Sequence, residues 1–250
     1  MISEWEMIKG KAEDISQNEI LSFLMVGQSN MSGRGDFGIV QPINNPGCVM
    51  FRMGMWQPMT EPINIDKSAA AEFAPGISLA ASFADELQRH TGRKIGLIPC
   101  AMGGSKIEQW QPGEALYDNA VFTAKIAMRS SKLGGIIWHQ GESNCRNFDY
   151  AGYKKMFLST MEGLRRELGA EELPLILGEI PENMGERWNF GEWPQKLNGF
   201  LGDIAAEIPY CATASQKGLT LRIDGIHFDS PSCREMGRRY FEKYLEVSNL

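Results

Sequence analysis

Three residues able to carry out acyl transfer together lie near opposite ends of this 250-residue chain. Ser29 stands in Gly27-Gln28-Ser29-Asn30-Met31, directly after the first apolar run, and Asp224 and His227 stand in Asp224-Gly225-Ile226-His227-Phe228-Asp229. A serine hydroxyl is a weak nucleophile at neutral pH until an imidazole takes its proton, and that imidazole needs a carboxylate to fix its tautomer. The chain has 3 histidines, His90, His139 and His227. Only His227 combines a polar, glycine-containing loop with an aspartate three positions before it. Asp229 competes with Asp224 for the role of partner, and His139, adjoining a strand end, reads as a structural histidine.

Two further segments offer donors for the negative charge of a tetrahedral intermediate. Gly103-Gly104, in Ala101-Met102-Gly103-Gly104-Ser105, can present a backbone N–H with no side chain in the way, beside the amide of Ser29 itself. Gln140, in His139-Gln140-Gly141-Glu142-Ser143-Asn144, carries a side-chain N–H that adds no charge near the imidazole. Gln28, Asn30, Glu142 and Trp110 are candidates for binding substrate or ordering the site. Glu142 with Glu179 is also the pair that a glycoside hydrolase would need across a sugar. Trp56, Trp110, Trp188 and Trp193 lie outside the main apolar runs, and their rings suit sugar faces.

Composition narrows the function classes. With 43% hydrophobic residues the chain can bury a full core, and its length suits one domain over residues 1–250. The net charge of −6 comes from 25 basic and 31 acidic residues without blocks of either sign, which argues against nucleic acid as a partner. No stretch approaches the roughly 18 apolar residues of a membrane span. The 5 cysteines are scattered and odd in number, which suggests free thiols rather than zinc ligands or a disulfide framework. The first residues lack the marks of a secretory leader, so a cytoplasmic location is expected, although a secreted chain trimmed of its leader would read the same.

The elements that must position these residues follow from the apolar runs. Strands are expected at 20–26, 94–99, 134–138, 173–180 and, more weakly, 210–213. Helical spacing fills 76–90, 115–131, 150–168, 193–208 and 234–247. Strict alternation of strand and helix with right-handed crossovers implies a mostly parallel five-stranded sheet between helix layers. Residues 36–75 break the rhythm as a long loop with one short extended piece at 48–52, and 182–193 form a second irregular insert. Ser29, the 102–105 loop, the 140–144 cluster and Glu179 each follow a strand. Every polar cluster therefore falls on the carboxyl edge of the sheet, where open α/β proteins bind ligands.

Taken as an ordered set, GQSNMSGRG, GLIPCAMGGSKIEQW, IIWHQGES and DGIHFD resemble the SGNH hydrolase superfamily. Within it they are similar to carbohydrate esterase family 6 and the sialate O-acetylesterase-like, acetylxylan esterase-related proteins. The resemblance implies a three-layer α/β/α, flavodoxin-like fold with sheet order 2-1-3-4-5, no metal and no cofactor. It implies Ser29, Asp224 and His227 as triad, with the Ser29 amide, an amide of the Gly103-Gly104 pair and Gln140 as oxyanion hole. Asn144 stands where family members often carry aspartate. The implied activity is removal of O-acetyl groups from a small-molecule or oligosaccharide carbohydrate. A lipid or thioester hydrolase of the same superfamily and a non-catalytic carbohydrate-binding protein are the alternatives.

Overall fold

The computed structural model describes residues 19–66, 74–146, 149–184 and 188–248. The N-terminal stretch read above for a leader, and parts of the 36–75 loop and the 182–193 insert, lie outside the described residues. Strand β1 (Ile20–Gly27) is buried along its whole length, as its unbroken apolar run requires of a central parallel strand. The short helix α1 (Ser29–Ser32) follows at once. Strands β2 (Cys48–Arg52) and β3 (Met55–Pro58) form an antiparallel hairpin, and α2 (Leu79–Thr91) leads into β4 (Lys94–Pro99). Then come α3 (Ala115–Ala127), β5 (Lys132–His139), α4 (Tyr150–Leu168), β6 (Leu175–Gly178), α5 (Trp193–Glu207), β7 (Cys211–Ala214) and α6 (Ser230–Val247).

The sheet has seven strands in the order β3-β2-β4-β1-β5-β6-β7, all parallel except β3. The five expected strands are β1, β4, β5, β6 and β7, and they run in the implied order. The strand count of five is corrected by the hairpin at the β4 edge. Residues 48–52 read as extended from their composition, but their partner β3 is short, ends in Pro58 and is exposed at both ends. A turn at Met53-Gly54, both residues with positive φ, joins the two strands. The fourth strand is also shorter than its apolar run, because Leu173 and Pro174 precede the first paired residue, Leu175.

Helices α2 and α6 cover one face of the sheet, burying Phe83, Leu87, Met236 and Tyr240 against Phe23, Met25 and Ile137. Helices α3, α4 and α5 cover the other, packing Ala120, Phe157 and Phe200 around Leu24, Trp138 and Leu177. Cap residues set the ends of these helices. Ser78 accepts from the Ala80 amide to start α2 (3.1 Å), and Asp229 accepts from the Ser232 amide to start α6 (2.8 Å), with Pro231 in its first turn. The 5 cysteines are free and buried, as their scatter suggested.

The α2–α6 contact is close enough to be broken by one methyl group. A Cβ at Gly237 would stand 2.0 Å from the Leu79 carbonyl oxygen and 2.1 Å from Ser82 Oγ. Gly237→Ala is therefore expected to force the helices apart at a cost of about 2 kcal/mol or more. Denaturant unfolding would show it as a lower midpoint at unchanged slope, and a midpoint equal to wild type would contradict this packing.

Candidate active site

The sharp exit from β1 places Ser29. Gly27 has φ +130°, and a Cβ there would lie 2.1 Å from the His139 carbonyl oxygen, so only glycine lets β1 turn this close to the end of β5. The Gln28 amide then donates to that same carbonyl at 2.8 Å, and α1 begins. From the far end of the sequence, the loop after Leu221 folds back so that Leu221 bridges to Phe228. It brings His227 Nε2 to 2.8 Å from Ser29 Oγ, while Nδ1 lies 3.0 Å from Asp224 Oδ2. Asp224 Oδ1 accepts from the amides of Ile226 and His227, both at 3.0 Å.

These contacts fix the charge on Asp224. Burial alone would raise its pKa, but the His227 ring and the two amides outweigh it and hold the carboxyl well below the usual carboxylate range. An ionised Asp224 calls for hydrogen on Nδ1, which leaves the Nε2 lone pair facing the serine hydroxyl. The geometry can thus take a proton from Ser29 and stabilise the resulting imidazolium. Asp229, the competing partner, is instead the α6 cap and accepts from Thr220 Oγ1. Arg222, which the sequence reading passed over, spans Asp224 Oδ2 at 3.3 Å and Asp36 at 2.9 Å.

Two expected oxyanion donors are otherwise engaged. The Gly103 amide donates to buried Asp66 Oδ2 at 2.6 Å. Gln140 is fully buried, and its two N–H groups face three acceptors: Asn144 Oδ1 at 2.7 Å, the Ser105 carbonyl at 3.1 Å and Gln28 Oε1 at 3.2 Å. Its Oε1 accepts from Tyr153 at 2.8 Å. Gln140 therefore braces the floor of the site rather than presenting an N–H to it. The amides of Ser29 and Gly104 donate to no partner among the described residues. Gly104 has φ +72° and open space where a Cβ would point.

The remaining candidates divide by burial. Gln28, 2% exposed, accepts from the amides of Gly141 (3.4 Å) and Ser143 (3.2 Å), which ties the 140–144 loop to the nucleophile segment. Asn30 grips the backbone on both sides of His227, donating to the Ile226 carbonyl at 3.2 Å and accepting from the Phe228 amide at 3.0 Å. It also donates to Glu142 Oε1 at 2.6 Å. Trp110 is fully buried, bonded to Ser105 Oγ at 3.0 Å and packed edge-on against Trp138, so it belongs to the core. Glu179 caps Ser215 and Gln216, and Glu142 is fully buried, so neither is placed to flank a sugar as a glycosidase pair would be. Trp188 alone of the four noted tryptophans has a large exposed ring, and its indole N–H donates to the Asp224 carbonyl at 3.1 Å.

A buried ion pair that spacing gave no hint of lies beneath the glycine loop. Arg34 meets Asp66 at 2.6 Å, and Asp66 also accepts from Ser32 Oγ at 2.7 Å. Asn64 exchanges two bonds of 2.9 Å with the backbone of Ala101. No group of three or more potential metal ligands is present among the described residues.

The sheet order and the polar groups at its carboxyl edge define an α/β esterase of the SGNH-like superfamily, a carboxylic ester hydrolase. The family profile described as carbohydrate esterase, sialic acid-specific acetylesterase, matches residues 19–246, and the chain belongs to that family. It is 28% identical over 253 residues, 92% of each chain, to a probable carbohydrate esterase of Arabidopsis thaliana. The crystal structure of that plant protein matches with a TM-score of 0.79 over 92% of this chain and 98% of its own. NanS matches with a TM-score of 0.72 at 19% identity, covering 92% of this chain and 98% of that one. A carbohydrate acetylesterase from Xanthomonas citri matches with a TM-score of 0.61 at 20% identity, over 92% of this chain and 56% of its own.

His139 gives the site a signature in acid. Burial lowers its pKa from the ordinary 6.5 to about 3. Because the folded value lies below the unfolded one, this contribution to stability is complete above 6.5 and is lost as pH falls toward about 3. Across that window the melting temperature of the wild type should fall relative to that of His139→Phe, which keeps a buried ring. Parallel melting curves for the two proteins would contradict the assignment.

Proposed function

We propose that the chain removes O-acetyl groups from carbohydrates, of acetylxylan or sialic acid type, with Ser29, His227 and Asp224 as its catalytic triad. The observation that carries this reading is the unbroken relay from Asp224 through both nitrogens of His227 to Ser29 Oγ, at 3.0 and 2.8 Å. Ser29 Oγ attacks the acetyl carbonyl carbon while His227 Nε2 takes its proton, and Asp224 stabilises the imidazolium. The amides of Ser29 and Gly104 receive the oxyanion. Collapse breaks the ester bond, and the sugar oxygen leaves with the proton from His227. Water then attacks the acetyl-enzyme by the same steps and acetate departs.

The family and the half-exposed Trp188 ring beside Asp224 both support a sugar as the alcohol half of the ester. Hydrogen bonding of the indole N–H tethers that ring beside Asp224, where it can meet a pyranose.

Ser29→Ala should fold and lose activity by up to about 10⁶-fold, and Asp224→Asn by about 10⁴-fold through the wrong imidazole tautomer. Acetate release from peracetylated sugars measures both, and a Ser29→Ala protein keeping a tenth of wild-type activity would remove the serine from its role. Trp188→Ala should raise KM for an acetylated oligosaccharide about tenfold, equivalent to about 1.4 kcal/mol, with little change for an aryl acetate. An equal loss on both substrates would show that the ring merely supports the Asp224 loop.

A further inference from the structure

Directly under the nucleophile lie two ionisable side chains to which the mechanism gives no step. Glu142 and His139 are both fully buried, with His139 Nε2 3.6 Å from Glu142 Oε1. Among the described residues Glu142 Oε2 and His139 Nε2 have no hydrogen-bond partner, an expensive state for buried polar atoms.

The direction of the neighbouring hydrogen bonds decides between the two charge states of Glu142. Tyr240 donates its hydroxyl proton to the Trp138 carbonyl at 2.8 Å. Its oxygen, 3.1 Å from His139 Nδ1, must then accept, which puts the imidazole hydrogen on Nδ1 and leaves a lone pair on Nε2. A carboxylate facing that lone pair would set two acceptors against each other with no hydrogen between them. At 3.6 Å the two groups are in contact without a hydrogen bond, and a neutral carboxyl group removes the repulsion between a charged oxygen and that lone pair. The groups facing Glu142 are Asn30 from α1, His139 from β5, Cys145 from its own loop, Tyr153 from α4 and Tyr240 from α6. Among the described residues no lysine or arginine pairs with it.

We propose that Glu142 is a positioning residue which acts in its protonated form: the hydrogen sits on Oε2, while Oε1, 3.6 Å from His139 Nε2, anchors Asn30, and through Asn30 the His227 loop against Ser29. This rests on the acetyl-ester reading above. Among the described residues, Asn30 is the side chain that joins α1 to the carboxyl group and to the backbone on both sides of the base, at 2.6, 3.2 and 3.0 Å. Ionisation of Glu142 places acceptor against acceptor at His139, and the ring cannot turn its hydrogen to Nε2 without facing a lone pair of Tyr240. The pair must separate, and Asn30 moves with it. The direction of titration agrees: burial, outweighing the hydrogen bonds from Asn30 and the nearby backbone amides, raises Glu142 from 4.5 to about 7. The raised value means that the proton is held through mildly acidic solution and lost as pH rises through about 7.

The test is the pH profile of kcat on a simple aryl acetate for wild type and Glu142→Gln, paired with infrared difference spectra across the same range. In the wild type kcat should fall severalfold on the alkaline side, as the carbonyl band of a buried carboxylic acid disappears. Glu142→Gln, neutral at every pH, should lose both the alkaline fall and the band while retaining turnover. A wild type with no alkaline fall, a variant that keeps the fall, or a spectrum without the acid band at mildly acidic pH would overturn the proposal. Should Glu142→Gln not fold, the coincidence of band and kcat in the wild type alone decides the matter. Absence of acetyl-ester turnover at any pH would instead sink the functional reading, and the infrared band would still report whether Glu142 holds its proton.

Discussion

The site depends on one contact across the whole chain, the grip of Ser29 and Asn30 on a loop 198 residues further along. A hydroxyl and an imidazole must stay within hydrogen-bond reach for proton transfer, and long loops alone could not hold them there. The parallel sheet supplies the rigidity. β1 is its centre, paired with β4 on one side and β5 on the other, and it delivers Ser29 from a strand with no exposed residue. The base loop is held at its own ends, by the Leu221–Phe228 bridge and by the Asp229 cap of α6. α6 in turn packs on α2 so closely that only glycine fits at 237.

Around that contact the protein buries an unusual amount of polarity. Arg34, Asp66, Gln28, Asn30, His139, Gln140 and Glu142 are all nearly inaccessible. Leaving such groups unpaired costs about 1–3 kcal/mol each, and breaking a buried ion pair such as Arg34–Asp66 costs about 3–5 kcal/mol. The layer therefore tolerates few arrangements. Each shift of α1 breaks bonds to the 64–66, 140–144 and 226–228 segments at once. This is the physical sense in which the polar floor makes the Ser29 segment rigid.

How far the sequence could be read follows from the range of the forces involved. Buried parallel strands and amphipathic helices leave local patterns, so the five main strands and the Asp224–His227 spacing were legible, while the strand order followed only from the family resemblance of the motifs. The β2–β3 hairpin was half legible, because β3 is a short edge strand with only partial burial. The exchange of roles among the donors was not legible. Whether the Gly103 amide is free depends on Asp66, 37 positions away, and the orientation of Gln140 depends on Ser105, 35 positions away. Trp110 misled for the same reason: it sits in a loop by pattern but is sealed against Trp138 by the three-dimensional fold.

The hydrogen bonds that engage Gln140 and the Gly103 amide bear on how charge is met in the proposed mechanism. A side-chain amide can rotate, so a site that relies on one must spend other contacts to aim it. In this molecule those contacts run the opposite way: side chains such as Gln28, Asp66 and Gln140 hold backbone, and backbone N–H groups are left facing the reacting atoms. On the proposed mechanism the oxyanion then meets dipoles fixed by the main chain at the ends of β1 and β4, which need little reorganisation as charge develops. Loops that merely display catalytic side chains could vary freely in conformation. On that mechanism these loops are bound to one another through their side chains because their main chain takes part in it.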